Sequence, residues 1–440
     1  MRAVLHDRVV TPLRTLRGQT FASLANPNYR RYITGQATSL VGTWMQTVAQ
    51  SWLVYQLTGS PAVLGTVIAV QTLPMLVLGP YGGVVADRLD KRKLMIGLQT
   101  MMGVQALLLG VLTVTGTVRL WHVFVLAGLL GLNNCFENPA RQAFVLEMVG
   151  PDDLRNAVSL NSVLASSARA VGPAVAGIVI ATGGIGFCFL LNAASFVAVV
   201  VSLLRLDVSK LNPTEPASRK PGQLREGFAY VRRTPALAVP LLMMALVGCL
   251  AYEFQVVLPV VASETFGGDG STYGFLTAAM GAGAVAGGLV VAARGRTGIK
   301  AMVWTSTAFG VVLAAAAAAP TLWAALVAMA LVGAVSVAFL SQGNSTLQLA
   351  AAPHMRGRVM ALWAVAFLGS TPIGGPIAGW VSEHFGGRGG LALGAVACLV
   401  AAGLGALTIR RGAVAADPAV PPTPDAEPAS PEARMHDRRP

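Results

Sequence analysis

Glu253 and Arg169 are the charged residues set deepest in long apolar stretches of this chain, 238 to 262 and 157 to 181. An ionised side chain in the middle of a lipid bilayer costs roughly 2.5 to 3.5 kcal/mol on insertion scales, so each needs a partner or a task. A buried carboxylate such as Glu253 suits a group that alternately binds and releases a proton. Arg169 suits an anionic group on a bound molecule, or else the two form a structural ion pair across the chain. Uncharged polar residues recur with helical spacing. Gln36, Ser39, Thr43, Gln46 and Gln50 follow one another at alternating steps of three and four, which puts them on one helical face. Asn134, Glu137 and Arg141 form a similar stripe, as do Ser341, Asn344 and Gln348, while Asn161, Ser162 and Ser166 precede Arg169. Such stripes either line a watery path or hydrogen-bond one helix to its neighbours.

The elements that must position these groups follow from composition. With 54% hydrophobic and 12% charged residues in 440, the chain falls far short of the roughly one quarter charged residues of soluble domains. Its apolar residues come in blocks of about 20 or more, long enough to cross a bilayer as helices. Twelve such blocks predict an all-α membrane protein of twelve transmembrane helices in two six-helix bundles, residues 32–206 and 238–410. Residues 1–31 read as a cytoplasmic surface segment. Residues 207–237 read as a cytoplasmic linker, with Pro213, Pro216 and Pro221 followed by the basic amphipathic run Leu224 to Arg233, and 411–440 as a disordered cytoplasmic tail.

The net charge of +13 does not call for nucleic acid, because its placement follows the membrane. With the N-terminus inside, 29 of the 32 Lys and Arg fall in cytoplasmic segments; Arg119 and Arg388 fall outside and Arg169 within a span. Cys135, Cys188, Cys249 and Cys398 each sit alone in a different apolar block, with no spacing that suggests a disulfide or a metal. The five histidines are scattered without a metal or acyl-transfer pattern, which argues against a membrane enzyme, and no GxxxxGK[ST] segment offers a nucleotide site.

The two bundles repeat each other. Gly172-Pro173 and Gly177 in span five are echoed by Gly375-Pro376 and Gly379 in span eleven, as expected of transporters built from internal duplications. Glycine permits close helix approach and proline removes a helical hydrogen bond, so these motifs suit both a tight contact and a hinge. Between spans two and three stands Gly83-Val-Val-Ala-Asp87-Arg88-Leu-Asp-Lys-Arg92-Lys. This glycine, Asp-Arg pair and basic cluster closely resemble the signature loop of the major facilitator superfamily. The resemblance covers about residues 20 to 410. It implies that Asp87 latches a cytoplasmic gate against the start of span eleven, with Arg88 and Arg141 as charge partners, and that spans one, four, seven and ten line a central cavity.

The Gly172-Pro173 stretch is similar to a motif of the superfamily's drug and proton antiporters. Asn138 to Phe144, Leu57 to Pro61 and Met355 to Leu362 resemble the branch that contains the enterobactin exporter and bacterial multidrug and macrolide efflux permeases. That branch often carries an acidic residue in span one, where this chain has Gly42-Thr43-Trp44-Met45-Gln46. The resemblance implies a monomeric exporter of amphiphilic small molecules, siderophore or drug-like, in a bacterial cytoplasmic membrane. Both termini would be inside, and a proton gradient rather than a cofactor would supply the energy. An importer, a facilitator and a non-transporting receptor are the alternatives.

Overall fold

In the computed structural model the described residues are 22–212, 223–295 and 297–412, together almost wholly helical and without strands. The expected N-terminal segment, linker prolines and tail fall largely outside them. Nine helical stretches among the described residues are long and apolar enough to cross a membrane. Two of these cannot be single spans. Leu120–Gly183 has 64 residues, which at ~1.5 Å each would be about three times the ~30 Å hydrocarbon thickness. It is interrupted at Gly150, whose φ of 74° is open to glycine but strained for other residues. The 40-residue Thr371–Arg410 breaks likewise at Gly386, with φ 68°.

The chain reverses at both places. Tyr29 donates to the Ala157 carbonyl at 2.9 Å and Gly172 faces Trp44, so residues 151–183 run alongside the first helix in the same sense. Tyr32 meets Phe144 edge-on, so residues 120–149 run against it. With these reversals, and with the first helix, whose polar stripe lowers its hydropathy, the described residues are consistent with twelve spans.

The N-terminal bundle comprises α1 (Pro27–Thr58), α2 (Pro61–Arg88), α3 (Lys91–Val114), α4 (120–149), α5 (151–183) and α6 (Ile185–Leu204). The helix predicted from the basic amphipathic run appears as α7 (Gln223–Arg233). The C-terminal bundle has α8 (Pro235–Ala251) continued by α9 (Phe254–Val260) and a π turn, then α10 (Gly270–Arg294), α11 (Ile299–Ala317) and α12 (Leu322–Ala350). Span eleven consists of α13 (Arg356–Leu368) and α14 (371–385), and span twelve of α15 (387–410).

Starts are set by capping: Asn26, Ser60, Asp90, Asp269 and Thr321 each accept backbone N–H groups of the first turn of α1, α2, α3, α10 and α12. Asp90, beside the signature motif, therefore has a structural use as the cap of α3, bonded to the Lys93 amide at 3.0 Å.

Span seven departs from the continuous helix that hydropathy suggests. It breaks at Tyr252 and Glu253, and Glu253 becomes the residue from which α9 restarts, its carbonyl accepting from Val256 and Val257. The break is pinned by Tyr252, whose hydroxyl donates to the Ser336 carbonyl at 2.7 Å and whose ring packs edge-on against Phe254, Phe309 and Phe367. Span eleven is also interrupted, at Gly369 and Ser370.

Within each bundle, backbones touch through small residues. Gly131 of α4 lies against the Gln71 carbonyl of α2, and Gly333 of α12 against the Met280 carbonyl of α10, the equivalent pair in the second bundle. Without a hydrophobic drive inside lipid, such close van der Waals contact is what holds helices together.

The bundles meet along two seams, α2 with α14 and α5 with α10. On the first, Gly65 packs on Gly375, and a Cβ added to Gly379 would lie 2.5 Å from the Pro61 carbonyl oxygen. On the second, Gly274 meets Gly177, and Gly281 meets Ala170. Both seams run from the middle of the bundle to the end that carries the α1–α2, α5–α6 and α14–α15 loops.

Candidate functional site

Three groups of polar side chains face the space between or beside the bundles. The first is Glu253, 4% exposed, at the break in span seven. Its carboxylate lies beside Gly374 and Gly375 of α14, with the Thr371 hydroxyl as a hydrogen-bonding neighbour, while Oε1 has no partner. Gly375 in turn packs on Gly65, so the carboxylate stands where span seven, span eleven and the α2–α14 seam converge.

The second group centres on Arg169. Its guanidinium stacks over the Trp44 ring of α1 at 5.0 Å and lies near Tyr252 of span seven, while its surface stays exposed. No ion pair joins it to Glu253 among the described residues, so of the two readings offered above the structural pair is not the one seen: the residue preceding Glu253, not its carboxylate, faces the cation.

The third group is a pocket of about 110 Å³ beside α1, lined by Thr43, Gln46 and Gln50 from the predicted stripe and by Asn134 of α4. Gln71, Gln105, Asn192 and Gln255 complete its polar wall, and none of these stood out in the sequence. Gln71, Asn192 and Gln255 are each the one amide of their helix, and Gln105 shares α3 only with Gln99 at a spacing of six, so no helical period marks them; an isolated amide in a membrane span was the available signal. Asn192 donates to Gln46 at 2.6 Å and Gln46 to Gln105 at 3.2 Å; Gln50 donates to Gln71 at 2.8 Å.

Other predicted residues are placed elsewhere. Glu137 and Arg141 form an ion pair one helical turn apart, N–O 3.0 Å, with Arg141 also donating to Asn138 and Gln99 approaching Glu137 at 3.4 Å. Arg141 is thus engaged inside the N-terminal bundle. Gln36, 4% exposed, has an Oε1 without a partner. Gln348 donates to Asn344 along α12 and is exposed.

Arg92 donates to the Leu203 and Leu204 carbonyls at 2.9 and 3.0 Å, closing the C-terminal end of α6. Arg88 is exposed at the end of α2. The side chains of Gly83 and Asp87 lie outside the described residues. Gly172 and Pro173 sit in helical backbone, with Gly172 packed on Trp44 and Val41; Gly177, Gly375, Pro376 and Gly379 lie along the two seams.

Polar contacts also cross between bundles at the sealed end. Tyr55 donates to Glu264 at 3.1 Å, and Glu383 accepts from Ser60 Oγ at 2.6 Å and from the Ala62 amide at 3.0 Å. A carboxylate there also complements the positive end of the α2 dipole.

With this geometry in hand, comparison with known proteins is informative. Residues 18–431 match the family model described as transmembrane secretion effector. The staphyloferrin A transporter of Staphylococcus aureus is 27% identical over 53% of this chain, a match spanning little more than half, 59%, of that protein. The multidrug efflux pump Tap of Mycolicibacterium fortuitum is 27% identical over 79% of this chain and 88% of its own. Among solved structures, a bacterial homologue of the human lysosomal transporter Spinster, in an inward-facing and unoccupied conformation, superposes with a TM-score of 0.69. That match is 14% identical and covers 86% of this chain and 97% of the other, a likeness of fold. The chain therefore belongs to the transmembrane secretion effector family, within the major facilitator superfamily that its loop motifs resemble.

Proposed function

We propose that this protein exports amphiphilic small molecules in exchange for protons, by rocking its two six-helix bundles about a midplane site. The observation that carries the reading is the Glu253 carboxylate: buried, short of a partner at Oε1, and set at a helix break where both bundles meet. A carboxylate so placed gains little when the site is closed and ionised, and gains much from a proton delivered there. Its loading and release would change the α9–α14 contact and bias the seam beside it.

Arg169 and Trp44 offer a cation and an aromatic face on the other side of Tyr252, suited to an amphiphile bearing an anionic or aromatic group. Relatives named for staphyloferrin A transport and for multidrug efflux support such a cargo. With the basic segments inside, the sealed end faces outward and the protein is inward-open, a monomer with both termini in the cytoplasm of a bacterial cell.

The test uses everted membrane vesicles energised by an imposed proton gradient. Wild-type vesicles should accumulate a lipophilic dye or drug in proportion to the gradient. Glu253→Gln should abolish gradient-driven accumulation while leaving counterflow of the same compound. Normal, pH-dependent accumulation by Glu253→Gln would overturn the coupling role, and gradient-dependent loss of compound from the vesicles would mark an importer.

A further inference from the structure

We infer that the amide-lined pocket beside α1 is a binding subsite for an uncharged, oxygen-bearing group of the transported molecule, a carbonyl or hydroxyl, with Gln105 Nε2 as its donor. The inference rests on the transport reading above and names the chemistry of one part of its cargo. It stands on a chain of side-chain amides. Asn192 donates Nδ2 to Gln46 Oε1 at 2.6 Å and Gln46 donates Nε2 to Gln105 Oε1 at 3.2 Å, which leaves Gln105 Nε2 unpaired.

Gln105 is 5% exposed and lines the pocket, so this is a buried donor in the pocket wall. A buried donor without an acceptor is costly and is retained where something completes it. The pocket of about 110 Å³ has room for a substituent of several heavy atoms or for a few waters, each water occupying ~30 Å³ in the liquid.

The lining also states what the ligand is not. No lining residue is charged, so a charged group entering here would lose its hydration without compensation. Met102, Leu130 and Phe196 also line it, one helical turn from Gln105, Asn134 and Asn192 respectively. A lining of amides interleaved with apolar side chains fits an amide, ester or lactone carried on a hydrocarbon frame. Among the lining residues only Gln255 comes from the C-terminal bundle, two positions after Glu253. Rocking of the bundles would withdraw Gln255 and uncover the pocket in the same movement that opens the α2–α14 seam.

The experiment compares purified wild-type protein, Gln105→Leu and Asn134→Leu, each in lipid nanodiscs without any gradient. Two probes are used in equilibrium binding: chloramphenicol, neutral with an amide carbonyl, and tetraphenylphosphonium, a cation with no acceptor. Gln105→Leu should weaken chloramphenicol binding roughly five- to tenfold, the net value of one neutral hydrogen bond, and leave tetraphenylphosphonium unchanged.

Asn134→Leu, whose side chain lines the pocket outside the amide chain, should reproduce the probe selectivity if Gln105→Leu fails to fold. Equal effects on both probes, or no chloramphenicol binding by the wild type, would overturn the inference. Because binding is read without a gradient, loss of export with retained selective binding would reject the coupling reading alone.

Discussion

Substitution of Gly65 by alanine should open the sealed end without harming either bundle. Gly65 lies on α2, and a Cβ there would overlap the carbonyl of Gly375 on α14 and lie 2.7 Å from its carbon. The obstructing atoms are backbone, so no rotamer change relieves the clash. Overpacking of this kind costs about 1 to 3 kcal/mol, here only in the state in which α2 touches α14. The gain in helix propensity of alanine over glycine is common to both states and cancels. The ratio of outer-open to outer-sealed molecules should therefore rise roughly five- to 150-fold.

Spin labels at Thr117→Cys and Thr321→Cys, exposed loop positions on opposite bundles at that end, would read this as growth of the long-distance component in a double electron–electron resonance experiment. Cys249, the one native thiol that is not fully buried, would be replaced first. Gly79→Ala is the control: it lies on the same helix, with nothing within 4 Å of the added Cβ, and should leave the distribution unchanged. If Gly65→Ala keeps the wild-type distribution, or if Gly79→Ala shifts it equally, the glycine seam is not what seals the end.

Three further outcomes follow from the same packing. Gly333→Ala should lower thermal stability without changing the spin-label distances, because the carbonyl its Cβ would overlap, Met280, belongs to the same bundle in every state. Glu383→Gln should shift the distance distribution in the same direction as Gly65→Ala but only about two- to fivefold, since its bonds to Ser60 and Ala62 are solvent-exposed. The Ser271 hydroxyl and the neighbouring amides hold the Asp269 carboxyl below its ordinary value. The stability it lends is therefore complete above the unfolded value of about 3.9 and lost as pH falls through the lower folded value. Asp269→Ala should cost about 1 kcal/mol of unfolding free energy at pH 7 and flatten that acid limb, as followed by thermal melts.

Much of the architecture was legible because lipid leaves few choices: a block of apolar residues must form a helix, and glycine pairs mark where helices touch. Gly177, Gly375 and Gly379 were marked by their repetition, and the structure sets them on the two seams. The breaks were not legible. Tyr252 and Glu253 include no helix breaker, and what interrupts span seven is an aromatic cluster drawn from Phe309 and Phe367, far away in sequence. The rotation of each helix was equally hidden. Arg169 and Glu253 were both visible as costly residues, but only packing decides that Arg169 turns to Trp44. The amide pocket escaped because it takes Gln105, Asn192 and Gln71 one apiece from different spans, and a set assembled across helices has no period along the chain.

The two kinds of contact between bundles have different consequences for motion. Inside each bundle, glycine contacts are flanked by large buried side chains such as Phe189, Phe309 and Phe339, which lock the helices by shape. Along the seams, Gly65, Gly177, Gly274, Gly281 and Gly375 meet backbone or other small residues, so separation breaks many weak contacts and leaves no deep socket empty. The directional bonds across the seams sit at the rim, through Tyr55 with Glu264 and Ser60 with Glu383, where water replaces them at small cost. Such an interface is tight enough to exclude solutes and weak enough to be reversed by a single protonation or ligand. On the proposed coupling, a proton on Glu253, placed against the Gly374 and Gly375 backbone at the inner limit of one seam, would act where the balance between the two states is most easily tipped.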